Sequence, residues 1–351
     1  MILDVLKLFI PTTTAFFVGI LLTPFLTHYL YKHKMWKKKA GKTDLDGKDT
    51  PIFNGLHKDK EVGTPRMGGI IIWASVLVTV LIFYFLAVFL PGETTTKFNF
   101  LSRNQTWLPL FTLLVASIIG LIDDLMQIRG TDKLIPGGLS FSKRLLMVVG
   151  IGLIGGWWFF DRLDFTTLNI PFGGELFLGI WIIPVFIFVM IALFSSSVID
   201  GLDGLAGGIL AIIFASYSVI AFFQNKIDLA TFCAVLTGAI LAFLWFNIPP
   251  ARFYMSETGI LGLTTTLTVI AFLTDSVFIL PIIALPLIAT SLSVIIQLTS
   301  KRLRNGKKVL QVAPLHHHFE AIGWPAYKVV MRYWIISIIA AIIGLILVII
   351  S

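Results

Sequence analysis

Charge and cysteine are what this chain has least of. Only 13% of its 351 residues are charged, against roughly 25% in an ordinary soluble domain. The bulk of the chain is therefore built for a solvent other than water. The single cysteine, Cys233, lies inside an apolar run, which excludes a disulfide within the chain and a structural cysteine–zinc site. No polar stretch between apolar runs is long enough for a second domain, so residues 1–351 read as one transmembrane domain.

What fills the space is hydrophobic sequence, 57% of the total. Apolar stretches near 20 residues long match a ~30 Å hydrocarbon core at 1.5 Å rise per residue. They fall near 8–30, 67–90, 107–122, 145–160, 175–195, 204–223, 229–246, 259–273, 277–298 and 333–350. The expectation is an all-α, polytopic integral membrane protein with ten transmembrane helices. The eighth is the weakest on pattern, diluted by Thr264, Thr265, Thr266 and Thr268 and ended by Asp275. Residues 1–30 do not read as a cleaved signal peptide. Asp4 precedes Lys7, the apolar run is long, and the basic block follows it.

With ten spans, the segments 31–66, 123–144, 196–203, 247–258 and 299–332 share one side and carry 22 of the 27 Lys and Arg. The positive-inside bias makes that side cytoplasmic and both termini extracytoplasmic. The net charge of +8 then describes a surface facing anionic membrane lipids, and it does not indicate nucleic acid. In the longest segment, Gly41 to Thr50 has too little apolar surface to offset the entropy of ordering.

Twelve of the 19 acidic residues lie on the same side, several at the ends of spans. Carboxylates at membrane depth cost several kcal/mol unless paired or metal-bound. Asp123 and Asp124 end the third span, where acids oppose the helix dipole and would not be chosen for stability. Two adjacent carboxylates can divide labour, one toward a cation and one toward a proton. Asp200 and Asp203, in Asp200-Gly201-Leu202-Asp203-Gly204, would share a face if that segment turns into a helix. Glu257, after Asn247 and Pro249-Pro250, is a further acidic station. Several carboxylates in a hard-oxygen environment favour Mg²⁺ arriving on a phosphate. Three consecutive histidines, His316, His317 and His318, cannot all point one way on a helix and suit hydrogen bonding to phosphate better than a transition metal, with Glu320 placed to orient one ring. Lys58, Lys60, Arg66, Lys143, Arg144, Lys301, Arg302 and Arg304 are mainly positive-inside charge, some of it able to collect an anionic substrate. Acids for a divalent cation, bases for phosphate and a site at the bilayer surface point to phosphoryl transfer.

The strings themselves are more specific. Gly63-Thr64-Pro65-Arg66-Met67-Gly68-Gly69, Ile122-Asp123-Asp124, Asp200 to Ala206, Asn247 with Pro250-Ala251, and Ala313-Pro314-Leu315-His316-His317-His318-Phe319-Glu320 cover essentially the whole chain. On them the chain resembles the phospho-N-acetylmuramoyl-pentapeptide-transferase family, within the polyprenyl-phosphate N-acetylhexosamine-1-phosphate transferases. The resemblance implies ten transmembrane helices and a homodimer in the bacterial cytoplasmic membrane. It implies Mg²⁺-dependent transfer of phospho-MurNAc-pentapeptide from UDP-MurNAc-pentapeptide to undecaprenyl phosphate, giving lipid I and UMP. Residue by residue it makes Asp123 the base, with Asp124 supporting it, and gives Asp200 and Asp203 the orienting of substrate and cation. Glu257, with Asp200, would hold the metal, and His316 to His318 would form a catalytic histidine motif. Lys60, Arg144, Ser197 and Asn247 would bind substrate.

The chain departs from that pattern at several positions. It carries Arg66 for Thr, Ser197 for Asn, Ser256-Glu257 for Gly-Asp, Ile260 for Ser and Arg144 for Lys, and Lys60 is displaced by one residue. Two other functions share part of the pattern. A sister transferase would use a UDP-N-acetylhexosamine without peptide, and a transporter or flippase of an anionic lipid-linked substrate would also need membrane-embedded acids. The histidine string argues against the first. The clustering of acids at one face rather than at the midplane argues against the second. A weakly active relative retained for assembly is a third reading, motivated by Ser197 and Glu257.

Overall fold

The computed structural model describes residues 2–38, 55, 62–129 and 138–351. The Gly41–Thr50 stretch, Lys58 and the candidate substrate residue Lys60 lie outside the described residues. The chain forms α1 (Ile2–Lys32), α2 (Ile70–Phe89), the short α3 (Glu93–Phe98), α4 (Trp107–Arg129) and α5 (Phe141–Arg162). A two-stranded antiparallel hairpin follows, β1 (Thr167–Ile170) and β2 (Gly174–Phe177), with Ile170 opposite Gly174. Then come α6 (Ile182–Ser195), α7 (Leu205–Phe223), α8 (Ile227–Asn247), α9 (Ser256–Leu273), α10 (Leu280–Ile283), α11 (Leu285–Leu303), α12 (Leu315–Ala321) and α13 (Ala326–Ile350). Turns of 3₁₀ helix at Gly179–Trp181 and Ser196–Ile199 bracket α6.

This is a polytopic, helical membrane protein. Among the described residues, nine helices are long and apolar enough to cross a bilayer, the 3₁₀ turns being counted with α6. The remaining expected run, 277–298, is divided at Ala284 into α10 and α11. Each piece has a proline in its first turn, Pro281 and Pro286, which lacks the N–H that would continue the preceding turn. The fifth span starts later than expected because residues 174–177 are a strand. The third runs further: α4 passes through Asp123 and Asp124 to Arg129.

The helices arrange around a buried centre. α4 packs most extensively on α9, while α8 packs on both α1 and α7, α5 on α6, and α13 on α7. The span with the weakest apolar pattern is the most enclosed. In α9 Thr264, Thr265, Thr266 and Thr268 are all fully buried. Thr264 and Thr265 return their hydroxyl hydrogens to carbonyls one turn back, at 2.9 and 2.7 Å. A helix surrounded by other helices needs small, self-satisfied side chains that permit close approach, rather than a lipid-compatible surface. Gly69 and Gly259 meet backbone to backbone, and a Cβ on Gly69 would collide with Gly259.

Candidate active site

The site is built where α4 crosses the start of α9. Gly120 makes the crossing possible, since a Cβ there would run into the Glu257 carbonyl and the Thr258 amide. One turn on, fully buried Asp124 reaches the first residues of α9. Its Oδ2 accepts from Ser256 Oγ (2.6 Å), Thr258 N (2.9 Å) and Thr258 Oγ1 (2.6 Å), and its Oδ1 accepts from Arg66 Nε at 3.1 Å. The acid is thereby placed at the favourable, N-terminal end of another helix. Ser256 has φ +52°, a left-handed conformation costly for a side-chain-bearing residue. Its hydroxyl offsets that cost by donating to Asp124 and accepting from Met67 N at 2.9 Å.

Asp123 is also buried but differently held. Its Oδ1 accepts from Leu139 N, its Oδ2 accepts from Gln127 Nε2 at 2.9 Å one helical turn on, and Arg144 Nη1 stands 3.7 Å away. Arg144 makes its closer, hydrogen-bonded ion pair with Glu257 Oε1. The other carboxylate oxygen, Glu257 Oε2, is buried, and no donor among the described residues reaches it. Burial pulls the Arg66 guanidinium down, but Asp124, Glu257 and Asp200 around it hold it above its ordinary value, so it stays cationic.

Asp200 and Asp203 do not lie on a helix. They sit in the link between the Ser196–Ile199 turn and α7, and both stitch onto the segment leading into α9. Asp200 Oδ2 accepts from Ser256 N at 2.8 Å, and Asp203 Oδ2 accepts from Ala251 N at 3.2 Å. Asn247 is buried and ties the same two segments, accepting from Gly204 N (3.0 Å) and donating to Phe253 O (2.9 Å). The histidines divide as their spacing requires. His316 and His317 are buried, with ring centroids 4.2 Å apart, and a Cβ on Gly201 would strike both Nε2 atoms. His317 Nδ1 meets Glu320 Oε2 at 2.7 Å, whereas His318 Nδ1 accepts from Gln311 N at 3.3 Å. Ser197 is half-buried in its 3₁₀ turn, and its carbonyl accepts from Asp200 N at 3.2 Å.

Asp123, Asp124, Asp200, Glu257 and Arg144 thus form a connected network, joined to Arg66, and His316 and His317 abut its Asp200 turn. Sequence reasoning did not find Thr258 or Gln127, or the anchoring role of Ser256. Ser256 and Thr258 opening an apolar run is a helix-start signal, but the acid they serve comes from another helix. Among the described residues, no group of three or more His, Cys, Asp or Glu is gathered as a ready metal site. The buried Glu257 Oε2 nevertheless fits a cation, being a carboxyl oxygen that no donor among the described residues reaches.

Residues 106–275, which carry both aspartate motifs and Glu257, match the model of glycosyl transferase family 4. The chain is 36% identical over 332 residues to the phospho-N-acetylmuramoyl-pentapeptide-transferase of Thermodesulfovibrio yellowstonii, covering 88% of this chain and 86% of that one. It belongs to that family. The family's enzyme from Listeria innocua is 35% identical over 83% of this chain and 86% of its own length. That from Chloroflexus aggregans is 29% identical over 97% and 89%. Arg66, Arg144, Ser256 and Glu257, which the sequence reading sets apart from the family pattern, all lie in the network around Asp123 and Asp124. Ser256 and Arg66 hold the two oxygens of Asp124, and Arg144 holds Glu257.

Proposed function

We propose that the chain transfers phospho-MurNAc-pentapeptide from UDP-MurNAc-pentapeptide to undecaprenyl phosphate, forming lipid I and releasing UMP at the bacterial inner membrane. The observation that carries this, beside family membership, is the different bonding of the two adjacent aspartates. Asp124 is committed to Arg66, Ser256 and Thr258 and works as an anchor. Asp123 takes its hydrogen bonds from the neutral donors Gln127 Nε2 and Leu139 N, with Arg144 in a longer contact at 3.7 Å, so taking a proton would weaken that one contact and break no charged hydrogen bond. In this reading Asp123 removes the proton of the lipid phosphate. An oxygen of that phosphate then bonds to the sugar-bearing phosphorus as the bond from that phosphorus to UMP breaks.

The charge that develops on the diphosphate falls among Arg144, Arg66 and the buried histidines. Glu257, with Asp200 beside it, would hold Mg²⁺, which neutralises phosphate charge when bound. Asn247 and Asp203 would keep the 200–208 and 248–256 segments in register for the nucleotide. Ten crossings, with α10 and α11 together making the ninth, would put both termini outside and the five Lys- and Arg-rich segments in the cytoplasm. UDP-linked precursor would then meet the site from the cytosol and the lipid from the bilayer.

The test is UMP release by purified protein in detergent with undecaprenyl phosphate and Mg²⁺, comparing UDP-MurNAc-pentapeptide with UDP-N-acetylglucosamine. Release with the pentapeptide precursor, cut at least about a hundredfold by Asp123→Asn, is the expected outcome. Release with UDP-N-acetylglucosamine alone would assign the chain to the sister reaction, and full activity in Asp123→Asn would remove that residue as the base.

A further inference from the structure

Glu257 Oε2 and Arg144 Nε are buried polar atoms of the site with no hydrogen-bond partner among the described residues. They belong to the two halves of one ion pair, made by Arg144 Nη1 and Glu257 Oε1. A guanidinium and a carboxylate usually meet through two parallel bonds. Here each keeps a polar atom in reserve. The side chains remain 23% and 16% exposed, so the pair is within reach of ligands entering the site.

The reserved atoms are of the two kinds that a cation and a diphosphate need. A carboxylate oxygen suits a hard divalent cation, and a guanidinium N–H suits a phosphate oxygen. A ligand that captured one partner alone would leave the other a largely buried charge with only longer contacts, Arg144 keeping Asp123 at 3.7 Å. Arriving together, the cation takes Glu257, the diphosphate takes Arg144, and neither side chain is stranded.

We propose that the Arg144–Glu257 ion pair closes the ligand-free site and is opened jointly by a divalent cation and a nucleoside diphosphate, each of which binds weakly alone and strengthens the other. This rests on the transferase reading above and concerns how the ligands are admitted.

The experiment uses the full chain in detergent, with Mn²⁺ followed by electron paramagnetic resonance as the cation probe and UDP followed by calorimetry as the diphosphate probe. UDP also chelates Mn²⁺ in solution, so the decisive readings are the single-ligand affinities of variants. Glu257→Gln, which releases Arg144, is expected to bind UDP without metal about tenfold more tightly than the wild type. Arg144→Gln, which releases Glu257, is expected to bind Mn²⁺ without UDP more tightly by about the same factor. Asp49→Asn and Lys308→Gln make the same charge changes in other segments read as cytoplasmic and leave both partners of the pair in place, and are expected to move these affinities less than about twofold.

The proposal is overturned if either pair variant leaves its ligand's affinity at or below the wild-type value, or if the charge controls match the pair variants. Each variant is checked for a monodisperse profile, and if one does not fold, the other arm decides. UMP release separates the two levels. A wild type that turns over while the variants' affinities stay put retains the transferase reading and loses the paired opening. A wild type that neither binds UDP nor releases UMP loses both.

Discussion

α9 and α13 are both long enough to span a bilayer, yet they occupy opposite places in the molecule. In the membrane-length window of α9, 89% of residues are buried, against 28% in α13. α13 has the more uniformly apolar sequence, with isoleucines such as Ile335, Ile339 and Ile346 turned outward. α9 instead carries Gly259, Gly262 and five buried threonines. Apolarity in such a chain therefore reports contact with lipid, while small and self-bonded polar residues report contact with other helices. The functional groups follow the second kind of helix: Ser256, Glu257 and Thr258 all open α9.

Substitutions can break or sharpen that contrast. The largest effect is expected from Gly259→Val, which inserts a branched side chain where two backbones touch. It should cost more than about 3 kcal/mol and leave little monodisperse protein on size exclusion. Asp124→Ala comes next, since it strands the Arg66 guanidinium and the α9 donors. A loss near 3 kcal/mol is expected in thermal or chemical unfolding, together with loss of UMP release. Thr265→Val removes only a hydroxyl that bonds within its own helix and should cost about 1 kcal/mol or less. Ile339→Ala on α13, at a position 53% exposed, should stay within about 0.5 kcal/mol. A larger loss at Ile339 than at Thr265 would mean that α13 is covered by another chain rather than by lipid.

The same contrast explains what could be read in advance. Spans such as α2 and α13, whose sequences match lipid, were legible from length and apolarity, and the acid pairs stood out because a carboxylate at membrane depth needs a reason. Centrality was not legible in α9, whose threonines dilute the signal that marks a span. The continuation of α4 through Asp123 and Asp124 was hidden for a related reason. The groups that satisfy those acids include Gln127 one turn on, but also Arg66 and Thr258 from elsewhere in the chain. Sequence displays local partners and conceals distant ones. Likewise the Thr167–Phe177 hairpin interrupts an apolar stretch without altering its composition enough to announce a strand.

Asp124 also has a consequence for how the protein is made. Its partners lie 58 residues before it, at Arg66, and 132 and 134 residues after it, at Ser256 and Thr258. A chain emerging from the ribosome carries this acid into the bilayer's edge long before α9 exists to receive it. Until then it is a charge held at a depth where charges are costly, with only part of its final coordination. The site is thus completed late in biogenesis, and a chain truncated ahead of Ser256 would be marked by an exposed defect at the third span. In that sense catalytic competence doubles as a certificate that insertion has run nearly to its end.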